Sequence, residues 1–225
     1  FKIVRSKTKF WQMIGRGTRL RPDLFGPGED KDRFLIFDFC QNFEFFNQNP
    51  DVTDGATGVS LGERLFATRV ELIGQLTAVE EGHAELVVSL KSRLHDEVAS
   101  MNVDNFIVRP RRKTVEKFQN RKSWDEVSTE ERQALIDEVA GLPSAFEDGA
   151  LPAKQFDLLI LKAQLSLLQS DPTFTTHQDK VRRLASNLEG LSNIPMVNAK
   201  LELIIEVQTD DFWKDITVEI LEQVR

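Results

Sequence analysis

From Ser60 onward the hydrophobic positions recur at helical spacing. Leu65, Val70, Leu72, Ile73 and Leu76 form one stripe, and recurrence at three and four residues places side chains on one face of a helix. Ser60-Leu61-Gly62-Glu63 ahead of it has the pattern of a capping box. In that pattern a hydroxyl and a reciprocal carboxylate each satisfy an orphan backbone donor. A second stripe (Leu86, Val87, Leu90, Leu94, Val98) predicts a helix within 83–101. Ser128-Thr129-Glu130-Glu131 repeats the capping pattern ahead of Leu135, Ile136 and Val139, and Gly141 predicts the stop of that helix. Residues 152–169 are apolar around most of the helical circumference, with Leu158, Leu159, Ile160 and Leu161 consecutive. Such a segment predicts a central helix. Further helices are predicted over 176–191, 195–207 and 210–225, and no fixed-period repeat is present.

Residues 1–59 follow a different pattern. Phe1 to Val4 has the character of a strand end. Thr8 is placed to cap a helix running through Phe10, Trp11, Met13 and Ile14. Pro22 to Asp32, with Pro-Asp and Gly-Pro-Gly, predicts a loop. Phe34-Leu35-Ile36-Phe37-Asp38-Phe39 is a nearly unbroken apolar run of strand length, which suits a strand covered on both faces in a parallel α/β sheet. Asn47 to Gly58 is polar and Gly-containing, the candidate boundary. The expected fold class is therefore mainly α. The remnant of an α/β domain with short strands occupies 1–59, and an all-α domain occupies 60–225.

Charge sharpens that division. The 225 residues are 40% apolar and 29% charged, with net charge −7. Residues 1–22 hold seven Lys/Arg and no acid, which leaves −14 on the remaining 203. Tyr is absent while Phe occurs 16 times, nine of them before the linker. Cys40 is the lone cysteine, so no internal disulfide forms, and a small buried hydrophobe in a reduced cytoplasm is expected. His83, His95 and His177 are scattered and have no neighbouring Cys, so no zinc site is expected. No apolar run is long enough to span a membrane, and Phe1-Lys2-Ile3-Val4-Arg5 is not followed by a signal-peptide apolar region. With no initiator Met, the chain reads as an excised piece of something longer. No Gly-rich loop ending in Lys-Ser/Thr is present to carry a P-loop.

The segment that carries chemistry is Gln12-Met13-Ile14-Gly15-Arg16-Gly17-Thr18-Arg19-Leu20. Arg16 and Arg19 are three apart and would share a face of a continuing helix. Two guanidiniums on one face can clasp a polyphosphate through bidentate, charge-assisted bonds. Gly15 and Gly17 permit close backbone approach. Gln12, one turn before Arg16, is placed to hydrogen-bond a phosphate or an attacking water. The rival reading is an ordinary solvated basic helix face.

This segment resembles motif VI of superfamily 2 helicases and translocases. The stretch from Lys9 to Phe46 is similar to the motor (restriction) subunit of type I restriction enzymes, through Phe10 to Leu20, then Phe37-Asp38-Phe39 and Asn42-Phe43. The resemblance covers about 50 of the 225 residues; the helical remainder fits the C-terminal region of those subunits only in a general way. It implies that 1–59 is the C-terminal part of a second RecA-like domain. It further implies that Arg16 and Arg19 are arginine fingers toward ATP. The nucleotide and its Mg2+ would be held by a first RecA-like domain, with Gln12 and Gly15 contributing to the nucleotide site. The parent would be an ATP-dependent DNA translocase and endonuclease of the cytoplasm. Its partners would be double-stranded DNA and the methyltransferase and specificity subunits, the latter docked by 60–225. Walker A and B motifs and a nuclease domain are not in this sequence, so the chain alone is expected neither to hydrolyse ATP nor to cut DNA. Two alternatives stand beside this reading. One is an interaction module without a catalytic role. The other is a piece of another superfamily 2 motor, from type III restriction or an RNA helicase.

Other features weigh less. Asp38 is expected to cap a turn or pair with an Arg rather than catalyse. The Phe34–Phe46 run is expected to pack in a core or between domains rather than stack on bases. If its sheet is incomplete it would expose apolar surface and promote self-association. Residues 109–122 hold seven cations against Glu116, with Trp124 nearby. Arg109, Arg111, Arg112, Lys113, Arg121 and Lys122 are the candidate nucleic-acid contacts, against the alternative of a solvated face. Phe212 and Trp213 are expected to pack on a neighbouring helix.

Overall fold

The computed structural model describes Val4, residues 7–38, Phe43, and residues 59–79, 82–105, 107–146 and 149–225. The fold is mainly α. Eleven α-helices and no strand are found among the described residues, and the one β-type pairing is an isolated bridge between Gly26 and Glu29.

Helix α1 (Lys7–Gly17) stands apart from the rest in sequence. The helical part begins with α2 (Leu61–Ala78), whose cap Ser60 accepts the Glu63 N–H at 3.1 Å. It continues through α3 (Ala84–Ala99) and α4 (Arg112–Gln119). Next come α5 (Thr129–Ala134) and a π-turn over Leu135–Val139. At the start of α5 both halves of the expected capping box form, Ser128 with the Glu131 N–H and Glu131 with the Ser128 N–H. Gly141 ends the segment as expected, at φ +79°, where a Cβ would also press on the Glu63 side chain. Then follow α6 (Leu151–Leu168) and α7 (Thr173–Glu189). Four short helices close the chain: α8 (Pro195–Asn198), α9 (Leu201–Glu206), α10 (Asp210–Lys214) and α11 (Val218–Val224).

Helix α6 is central, as its composition predicts. Leu158 and Leu161 enter a first core with Leu65, Leu72, Leu94, Phe118, Trp124 and Leu135. Ile160 and Ala163 enter a second core with Val181, Ala185, Val207, Trp213 and Leu221. A helix shared by two cores must be apolar on opposite sides, which is why its stripe is broad. A polar strut crosses beneath it. Arg69, only 2% exposed, donates from Nη2 to Asp157 Oδ2 at 3.1 Å. Asp157 also receives Arg225 (3.4 Å). Buried Gln164 donates to the Val218 carbonyl (3.1 Å) and to Glu222 (3.0 Å). These contacts tie α2, α6 and α11 together.

Several expectations are corrected. Residues 34–38 form no strand, and Leu35 and Phe37 are about three-quarters exposed (74% and 73%). A strand buried on both faces needs backbone partners at its edges, and among the described residues none pairs with this run. A RecA-like α/β unit is thus not formed by the described residues. Helix α1 begins at Lys7, so Thr8 lies inside it rather than capping it. The helix expected over 195–207 is split between Asn198 and Leu201, and the one over 210–225 breaks after Lys214. In the second case Thr217 accepts the Ile220 N–H and starts a new helix, a hydroxyl cap that competes with helix continuation. The strand end at Phe1–Val4, Cys40 and the Asn47–Gly58 linker lie wholly or largely outside the described residues.

Candidate functional site

Helix α1 turns one face inward. Phe10 is buried against Phe43, ring centroids 4.9 Å apart at 80°, with Val4 and Ile14 alongside. The spacing of Phe10 and Ile14 therefore leaves Gln12, Gly15 and Arg16 on the outward side, and all three are exposed. Gln12 and Arg16 are one turn apart and point along the same face. Among the described residues neither side chain makes a hydrogen bond or ion pair. A Cβ placed on Gly15 meets nothing within 4 Å. Among the described residues, no packing requires glycine at that position.

Arg19 is placed differently from expectation. The helix ends at Gly17, where Thr18 Oγ1 donates to the Gly15 carbonyl (3.0 Å) and Thr18 N–H to Ile14 (3.1 Å). Arg16 and Arg19 therefore do not share a helical face; Arg19 projects from the exposed chain beyond the helix end. The break has a physical cause. The Phe34 ring sits on Gly17, where a Cβ would lie 2.4 Å from its edge. Lys31 Nζ donates to the Gly17 carbonyl and, at 3.1 Å, to that of Arg19. A lysine on the free carbonyls of a helix end stabilises that end.

The loop that delivers Lys31 is internally bonded. Arg21 and Lys31 close it (2.9 Å), Asp23 accepts the Gly28 N–H (2.6 Å), and Asp30 accepts that of Asp23 (3.0 Å). Sequence reasoning gave Lys31, Asp23 and Asp30 no role. Their signal was a basic residue following a Pro/Gly/Asp loop directly after a helix end. Asp38 accepts the Phe43 N–H at 2.7 Å, the turn-capping role expected of it.

The basic stretch 109–122 is exposed but unevenly available. Arg112 lies 2.7 Å from Glu116 and 3.7 Å from Asp104, and the bond to Glu116 raises its pKa above the ordinary arginine value. Arg111 reaches Glu138 at 3.9 Å, and Arg121 donates to Ser92 at 2.8 Å. Arg109, Lys113 and Lys122 have no side-chain partner among the described residues. Trp124 offers no stacking platform. It is buried, edge-on to Phe118 at 5.2 Å, and its indole donates to the Phe118 carbonyl at 2.8 Å. Trp213 is likewise buried and bonded to the Val207 carbonyl at 2.7 Å, in line with the packing role expected for it.

Among the described residues no three His, Cys, Asp or Glu side chains converge as a metal site would need. No described helix is long and apolar enough to cross a membrane. No protein-family model, curated protein or solved structure matches the chain.

Proposed function

We propose that the chain belongs to an ATP-driven DNA translocase, the motor subunit of a type I restriction-modification enzyme, and that α1 acts on the nucleotide. The observation that carries this reading is the outward face of α1. Gln12 and Arg16 stand uncommitted one turn apart, Gly15 leaves open space beside them, and Arg19 follows the helix end. Two free guanidiniums beside a backbone with no side chain in the way suit a phosphate group. Residues 1–59 would complete a second RecA-like domain in the parent, facing ATP and Mg2+ held by a first. ATP supplies there a γ-phosphoryl group whose charge must be stabilised as it transfers. Arg16 would donate in a bidentate fork to phosphate oxygens. Arg19, exposed just past the helix end, would reach a second oxygen. Gln12 would orient a water or a phosphate oxygen.

The test is DNA-stimulated ATP hydrolysis by the complete motor subunit. Arg16→Ala is expected to lower turnover on the order of a thousandfold, the usual weight of an arginine finger. Turnover unchanged in both Arg16→Ala and Arg19→Ala would overturn the assignment. A nuclease domain ahead of the helicase motifs favours the type I restriction parent over a type III enzyme or an RNA helicase.

A docking role for 60–225 toward the methyltransferase and specificity subunits has its own support. Leu184, Leu188, Leu191, Ile194 and Met196 are exposed along the end of α7 and into α8. Apolar side chains grouped on a surface mark interaction sites. Leu188→Asp with Met196→Asp is expected to weaken co-purification of the three subunits without changing the melting temperature. Intact assembly would remove this second role, leaving α1 unaffected.

A further inference from the structure

A second basic cluster lies away from α1, on the face where α6 runs between α2 and α7. Ser166 Oγ is 3.2 Å from His177 Nδ1, which fixes the register of α6 against α7. The short connection at 169–172 makes those helices antiparallel. One turn back along α6 and one turn on along α7, Lys162 and Lys180 come level. Their neighbours Ala163 and Val181 share one buried cluster. On the other side, the Arg69–Asp157 contact at 3.1 Å holds α2, the helix that carries Arg64, against α6. Both Arg64 and Lys180 act on Lys162 through their charge.

This cluster is short of negative charge. Arg64, Lys162 and Lys180 have no carboxylate at ion-pair distance among the described residues. Glu71 on α2 and Asp171 before α7 are the acidic groups that act on the site. Lys162 is half-buried. Desolvation, then Arg64 and Lys180, hold its ammonium below the ordinary lysine pKa. Desolvation, then Lys180 and Lys162, do the same to His177. The Ser166 hydroxyl donates to the Ala163 carbonyl at 3.0 Å, so its lone pair accepts the His177 Nδ1–H. His177 Nε2 then carries a free lone pair, ready to take a proton. Like charges gathered on three helices, with no carboxylate paired to them among the described residues, repel one another, and a bound anion would relieve that repulsion.

We infer that this face binds a compact phosphate group, with Lys162 at its centre and Arg64 and Lys180 on either side. Three cations offer charge-assisted hydrogen bonds to several phosphate oxygens, and protonation of His177 adds a fourth. The rest of the chain after position 22 sums to −14, which repels an extended polyanion. The ligand class that fits is therefore a free phosphate or the terminal phosphate of a nucleotide. This inference does not depend on the role of α1.

The experiment is an NMR pH titration of the histidine rings at constant ionic strength, in chloride alone and with added inorganic phosphate, AMP or duplex DNA. His83 and His95 serve as internal references. Phosphate is expected to move the His177 midpoint upward and leave the other two in place. An AMP response without a free-phosphate response would assign the site to a nucleotide. In Lys162→Gln/Lys180→Gln, binding is expected to weaken about tenfold or more, the weight of two charge-assisted bonds. The melting temperature should hold or rise as repulsion is relieved. No response to phosphate or AMP, an equal shift of all three histidines, a response to DNA alone, or a response that survives the double substitution would each overturn the site.

Discussion

Gly15 separates two demands that usually coincide. A helix interior disfavours glycine, and replacement by alanine at an unstrained position gains up to about 1 kcal/mol. Among the described residues nothing lies within 4 Å of the missing Cβ, so Gly15→Ala should leave thermal stability unchanged or slightly raised. In the proposed role, however, a methyl group there would crowd a phosphate approaching beside Gln12 and Arg16. ATP turnover in the complete motor should therefore fall while the melting temperature does not. Asp157 shows the opposite case, a residue whose role is entirely internal. Asp157→Asn leaves the Arg69 guanidinium buried with a weaker partner. Asp157 is itself about a third exposed (30%). The cost is therefore about 2–3 kcal/mol, below that of breaking a fully buried pair, measurable by urea unfolding. The sequence offered Gln12, Gly15 and Arg16 because motif spacing survives as spacing on a helix. It offered no sign of Arg69, since pairing across 88 residues has no local signature.

At the scale of elements, helix ends decided what could be read. Ser128 and Glu131 announce the start of α5 within four residues, and both halves of the box form. Ser128→Ala is expected to cost about 1 kcal/mol in the same unfolding experiment. Where helix ends depend on distant groups, local pattern failed. Arg16 and Arg19 would share a face had α1 continued. Phe34 on Gly17 and Lys31 on the terminal carbonyls end it first. The apolar run after Phe34 misled in the same way, because an unbroken hydrophobic stretch specifies burial but not the partner that provides it. Lys31→Met removes the ammonium from the carbonyls of Gly17 and Arg19. The fraying of α1 should appear as faster amide exchange at Ile14 to Thr18, with exchange in α6 unchanged.

For the whole molecule, α6 is the joint between two cores, and its breadth of apolar contact was legible from composition alone. Two polar elements on the same helix were not: the strut at Asp157 and the cation cluster at Lys162, each assembled from three helices. His177 also gives the fold a pH dependence. Burial, then Lys180 and Lys162, lower its folded pKa below the ordinary histidine value. The unfolded chain therefore binds the proton more readily. Stability from this group is complete above the unfolded pKa and declines as pH falls through the folded one. His177→Gln should flatten that acid-side slope in a series of thermal melts. The proposed function rests on α1. Its decisive test is Arg16→Lys in the complete motor subunit, measured as single-turnover ATP hydrolysis with DNA bound. Lysine keeps the charge but loses the bidentate fork. The account predicts a fall in the hydrolysis step of about tenfold or more, with nucleotide affinity little changed. A hydrolysis rate equal to that of the unaltered protein would contradict it.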